Sequence, residues 1–206
     1  MRRFRQPLFA ALCLIGLALP AGADPALEKG AAKFVEGLSV EAIRSLANDD
    51  IQRSERVARF RQMFNQHFAV QGIARWVLGR YWSAASPAQQ TEYLTLFEDM
   101  VVSAYVDRFA EYAGETLQVR NATTIDQSHA SVQTEIVRPT GPPVTVAWRV
   151  GATGSTYKVV DVVVEGTSMS TTMRSDFGSI IRRNGGELEG LLEELRRKTE
   201  SLRSAQ

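Results

Sequence analysis

Between Asp24 and Tyr112 apolar residues recur three or four positions apart, and beyond Gly114 the spacing falls to two. The first half of the chain therefore reads as helices and the middle as strands. Asp24-Pro25 supplies an N-cap and a first-turn proline, and Leu27, Ala31, Phe34, Val35 and Leu38 follow on one helical face. A second short helix is predicted from Val40 to Ala47. From Ile51 the pattern resumes through Val57, Phe60, Met63, Phe64, His67 and Phe68, an aromatic-rich face. Val70 to Gly79 is again helical and stops at its glycine. Ser86-Pro87-Ala88-Gln89 has the form of a capping box with proline at the first helical position. It opens the longest predicted helix, to about Tyr112, whose stripe includes Tyr93, Phe97, Met100, Val101, Tyr105 and Phe109.

Strands are predicted at 116–126, 129–138, 143–151 and 155–165, separated by turn-forming sequences short enough for antiparallel neighbours. The strongest is Tyr157–Glu165, with five valines. Strict alternation puts Tyr157, Val159, Asp161 and Val163 on one face and Lys158, Val160, Val162 and Val164 on the other. A carboxylate in mid-strand is costly without partners, so Asp161 is expected to meet an arginine or a backbone amide. The chain closes with a helix from about Met169 to Arg183, a break at Asn184-Gly185-Gly186, and a last helix striped by Leu188, Leu191, Leu192 and Leu195. Helices first, a four-stranded meander, then helices gives an α+β class in which N-terminal and C-terminal helices enclose one face of a twisted antiparallel sheet. Such a cone is either filled by its own side chains or left open for a ligand.

Residues 1–23 stand apart from this pattern. Arg2, Arg3 and Arg5 precede an apolar run from Leu8 to Leu19, then Pro20 and Ala21-Gly22-Ala23, the form of a cleaved secretory signal. Residues 24–206 are then read as a single domain in an exported protein. Cys13 is the chain's one cysteine and lies within that signal. The mature chain is thus expected to have no disulfide, thiolate metal site or cysteine nucleophile. Removing three arginines from 24 basic residues leaves 21 against 23 acidic ones, a formal net charge of −2. That balance argues against nucleic acid as a partner.

No catalytic or metal-binding constellation stands out. The chain has no phosphate-binding glycine loop, no H-E-x-x-H and only two histidines. His67 reads as a core or rim histidine. Ser168 lacks a nucleophile elbow's closing glycine and reads better as a helix N-cap. Asp161 and Glu165 lie on one strand face roughly 13 Å apart, too far for a direct acid–base pair.

One order of residues is more specific. Ile73 to Trp82 (Ile-Ala-Arg-Trp-Val-Leu-Gly-Arg-Tyr-Trp), then Ser86, Gln90, Phe97 and Tyr105, then Asp161, Glu165, Gly166 and Ser168, then Arg174 and Phe177 resemble the MlaC, or toluene-tolerance, family of periplasmic phospholipid-binding proteins. The resemblance implies an NTF2-like cone and a monomeric, non-enzymatic periplasmic carrier without a cofactor, whose ligand is phospholipid. The carrier would shuttle that lipid between an outer-membrane lipoprotein complex and an inner-membrane ABC transporter with an MCE-domain protein. A hopanoid-associated branch of the family leaves another apolar lipid open, and an NTF2-like enzyme using His67 or Asp161 is the alternative of another class. The chain has Tyr93, Tyr157, Val160, Thr167 and Met173 where the family commonly has other residues. The expected pocket is lined from the helices by Phe68, Ile73, Trp76, Val77, Phe97, Val101 and Tyr105, and from the sheet by Val146, Trp148, Val160, Val162 and Val164. The last three are chosen over Val159 and Val163 because their face carries no acid.

Overall fold

The computed structural model describes residues 23–204 apart from 49 and 113. Residues 1–22, nearly all of the expected export signal, lie outside the described residues. Among these described residues seven α-helices and five strands follow in an α+β order. Helix α1 spans Pro25–Leu46, α2 Arg53–His67, α3 Val70–Leu78, α4 Arg80–Ala84 and α5 Pro87–Tyr105, the last continuing into a 3-10 turn at Val106–Phe109. Strands β1 (Thr116–Asp126), β2 (His129–Val137), β3 (Val144–Thr153), β4 (Thr156–Val164) and β5 (Thr167–Ser168) precede α6 (Met169–Arg183) and α7 (Leu188–Ser204). The sheet is an open antiparallel meander in the order β1-β2-β3-β4-β5. The fifth strand, only two residues long, was not expected; it forms because Gly166, at φ +78°, folds the chain back onto Val163 and Val164.

Sequence signals set the helix ends. Asp24 accepts from the amides of Ala26 and Leu27 at 3.0 and 3.1 Å. Ser86 and Gln89 form the reciprocal capping box, and Ser168 caps α6 by accepting from Thr171. Two expected helix boundaries are corrected. The expected break at Val40 does not occur, because Leu38, Ala42 and Leu46 continue the buried stripe of Leu27, Ala31 and Val35 without a phase change, and α1 runs unbroken. Helix α5 ends at Tyr105 rather than Tyr112, tightening into the 3-10 turn, whose shorter period lets Phe109 meet Phe60 at 5.7 Å between ring centres. The short α4 after Gly79 was likewise not expected.

The apolar interior has two parts. The larger joins α5 and α7 to α3 and α6 through fully buried Tyr93, Phe97, Val102, Ile181, Leu191 and Leu192. Tyr93 donates to the Ala74 carbonyl at 2.9 Å, and burial pushes its phenol pKa up, so it stays protonated. The smaller part lies where α1 crosses the sheet, with Leu27, Ala31 and Val35 against Ala130, Val132 and Val150.

Helix α1 approaches β4 so closely at Gly30 that an added Cβ would lie 1.9 Å from the Tyr157 hydroxyl oxygen and 2.5 Å from its ring. Tyr157 is stacked on Phe34, with ring centres 6.0 Å apart, which limits its escape. Gly37 lies on the same helix and has nothing within 4 Å of the corresponding position. Gly→Ala in a helix ordinarily gains about 0.5–1 kcal/mol. Gly37→Ala is therefore expected to raise the thermal midpoint and Gly30→Ala to lower it. Midpoints that rise equally in both variants would show that the contact at Gly30 imposes no constraint.

Candidate functional site

The sheet face toward the helices is built from paired registers. Ile136, Thr134, Val132 and Ala130 of β2 face Val144, Val146, Trp148 and Val150 of β3. On β4 the partners of Val146, Trp148 and Val150 are Val164, Val162 and Val159. Strict alternation could not join Val159 to Val162 on one face. A register shift opposite Arg149 and Val150 leaves Val160 as an extra residue, and this bulge reverses the parity of the strand. Val159 consequently faces inward and Val160 does not, a correction to the expectation from alternation. A second bulge at Arg120 similarly sets Leu117, Val119 and Ala122 on the inner face of β1.

Between this face and the helices lie two apolar lobes, of about 230 and 240 Å3. Both are lined by Phe60, Phe64, Phe68, Phe109 and Trp148, which form a partition between them. Within it Phe60 and Phe64 lie 6.2 Å apart and Phe64 and Phe68 4.9 Å apart between ring centres. The first lobe runs under α1, past Val35, Leu38 and Ile43, to Tyr112 and Thr116. The second runs between β4, α3, the end of α5 and the start of α6, past Ile73, Val101, Tyr105, Val162 and Met173. Trp148 is fixed by a polar link beneath it: its indole N–H donates to the Thr134 hydroxyl at 3.0 Å, and that hydroxyl donates to the Val146 carbonyl at 2.9 Å. The indole edge is thus satisfied inside the protein while its ring face borders both lobes.

Of the residues expected to line a pocket, Phe68, Ile73, Phe97, Val101, Tyr105, Trp148, Val162 and Val164 border the second lobe. Four do not. Val77 and Val146 are buried in the packed interior at 1% and 3% exposure. Trp76 is 46% exposed, and Val160 is carried out of the lobe by the bulge. Trp76 and Val160 instead line a more polar cleft of about 340 Å3 with Arg149, Asp161, Ser170 and Ile73. Sequence reading missed Phe60, Phe64, Phe109, Val159, Met169 and Met173 as lining residues. The aromatic face of α2 was visible as a signal for the first two, whereas the bulge that turns Val159 inward has no sequence mark.

Asp161 lies at the margin of the second lobe, where its carboxylate is saturated. One oxygen accepts from the amides of Val162 and Ser170 and from the Ser170 hydroxyl, at 3.0, 3.2 and 2.7 Å. The other accepts from the Ser168 hydroxyl at 2.7 Å and from Arg149 at 3.2 Å. The expected arginine and amide partners are both present. His67 points elsewhere, to Glu41 at 3.0 Å, and lines neither lobe. Among the described residues no cluster of histidines and acids could hold a metal ion, and no helix is long and apolar enough to cross a membrane.

Comparison with known proteins places this geometry. A toluene tolerance protein of Pseudomonas putida is 23% identical over 160 residues, covering 75% of this chain and 74% of its own length. The intermembrane phospholipid transport system binding protein MlaC of Haemophilus influenzae is 23% identical over 113 residues, 53% of each chain. The solved structure of a phospholipid-binding protein from Ralstonia solanacearum, in complex with a phospholipid, superposes with a TM-score of 0.73 at 21% identity, covering 84% of this chain and 98% of that one, and shares the fold. The family model described as MlaC protein matches residues 36–197, most of the described fold, and the chain therefore belongs to the MlaC family.

Proposed function

We propose that the protein is an exported lipid carrier that takes the acyl chains of a phospholipid into the two lobes and shuttles it through the periplasm. In this reading the donor and acceptor are an outer-membrane lipoprotein complex and an inner-membrane MCE-domain protein of an ABC transporter. The observation that carries the reading is the pair of unfilled, almost wholly apolar lobes beneath an intact sheet. At about 24 cal/mol per Å3, an enclosed void of either size would cost roughly 6 kcal/mol, as much as the net stability of many domains. A protein keeps such a volume open when a ligand fills it. Family membership and the names of the Haemophilus and Ralstonia proteins point to phospholipid as that ligand. The residues of the N-terminal signal support export, and the saturated carboxylate of Asp161 and the outlying His67 favour a carrier over an NTF2-like enzyme.

The energetics suit a shuttle. Burying an acyl chain is worth about 0.8 kcal/mol per methylene, but a lipid leaving a bilayer gives up nearly the same amount. Exchange is then close to isoenergetic, and direction would come from the partners.

Two measurements test this. Organic extraction of the purified mature protein, read by mass spectrometry, is expected to release phospholipid in about equimolar amount. An uncharged polycyclic lipid in its place would favour the hopanoid branch, and protein free of any lipid would remove the carrier reading. The second compares two substitutions in delipidated protein. Val162→Trp puts a ring into the second lobe and is expected to abolish lipid uptake with little change in thermal midpoint. Val77→Trp, in the packed interior, is expected to lose about 1–3 kcal/mol or more by overpacking. A loss of stability in Val162→Trp as large as in Val77→Trp would show that Val162 faces filled space.

A further inference from the structure

We infer that Arg149 binds the phosphodiester of the carried lipid, making the cleft outside β4 a headgroup subsite; the inference rests on the carrier reading above. The second lobe and the cleft share Ile73, Asp161 and Ser170 as lining residues, so apolar and polar compartments meet along one seam. A glycerophospholipid with its chains in the lobe presents its phosphate at such a seam. Among the described residues lining the two lobes and the cleft, Arg149 is the one cation.

Arg149 is equipped for the role. Its side chain is 50% exposed and makes a single bond, through one nitrogen, to Asp161. Four of its five N–H donors remain for a phosphate, which guanidinium binds in bidentate fashion. Asp161 does not depend on it, because four other donors from Val162, Ser168 and Ser170 hold that carboxylate. The neighbouring arginines are committed elsewhere. Arg174 lies 4.8 Å from the Trp76 ring centre and donates to the Trp76 carbonyl, Arg75 lies over Trp82 and Arg80 over Tyr81. Asp161 therefore acts as a positioning residue that aims Arg149 along the seam, and Arg149 separates phosphate-bearing lipids from uncharged ones of equal chain length.

The test loads delipidated mature protein from vesicles carrying either a phosphatidylglycerol or a diacylglycerol of the same chain length, and compares wild type, Arg149→Gln and Arg149→Lys. Arg149→Gln is expected to lower phosphatidylglycerol uptake about three- to tenfold at unchanged diacylglycerol uptake and unchanged thermal midpoint, with partial rescue in Arg149→Lys. Equal losses for both lipids, or no loss for either, would overturn the headgroup role while leaving the carrier intact. Wild-type protein that takes up neither lipid would overturn the carrier reading itself. Inorganic phosphate is the remaining probe: millimolar phosphate binding to lipid-free wild type as tightly as lipid does would mark a free-anion site and overturn the headgroup assignment.

Discussion

A single extra residue in β4 decides what the inside of this protein can hold. Val150 pairs with Val159 and Arg149 with Asp161, so Val160 has no partner and the strand changes parity between them. Without that bulge, Val159 inward would put Asp161 inward as well, and a carboxylate would stand against the apolar lobe at a cost of several kcal/mol. With it, Val159, Val162 and Val164 all reach the inner face, and Asp161 is turned toward Arg149 and the first turn of α6. The acid then becomes useful. It accepts from Ser168 and Ser170, tying the sheet to the helix that closes one side of the lobe, and the positive end of that helix favours its charge.

The lobes survive because stability is lodged elsewhere. Tyr93, Phe97 and Val102 of α5 pack against Leu191, Leu192 and Leu195 of α7, and Ile181 and Phe177 of α6 join them, in a buried cluster that reaches the sheet at Val159. Helix α1 secures the other end of the sheet through Ala31, Val35 and the close approach at Gly30. Between these two regions the side chains that cover the sheet include the rings of Phe60, Phe64 and Phe109, from α2 and the 3-10 turn.

Much of this was legible in the sequence. The four long strands were placed within about two residues of their ends, because turn chemistry at Asp126-Gln127-Ser128 and Gly151–Gly154 punctuates a clear period of two. Caps at Asp24, Ser86 and Ser168 located three helix starts. Parity on β4 was not legible, since a bulge follows from register against β3 and a run of valines looks the same in either phase. The same limit explains Trp76 and Val77. Periodicity marked a helix whose apolar residues are large on every side, and only the neighbours decide that Ile73 meets a lobe, Val77 the interior and Trp76 the surface. The 3-10 turn after α5 was hidden for a related reason: Phe109 and Tyr112 fit a continued helical stripe, and the tighter winding that redirects them is set by their contacts with Phe60 and Glu115.

A sheet that is polar on one side and lined by valines on the other would ordinarily bury its apolar face completely. Here Thr134 shows how the interior is kept apart from the lobes. It is 1% exposed and on the inner face, yet its hydroxyl is used up between the Trp148 indole and the Val146 carbonyl. Trp148 is thereby held as a rigid floor, presenting apolar surface to both lobes while its polar edge bonds inward. At the margin of the second lobe the Asp161 carboxylate is likewise saturated, by five donors. The lobes thus present mostly apolar surface. Polar groups gather instead in the cleft where α3, β3, β4 and α6 meet, around Arg149, Asp161 and Ser170.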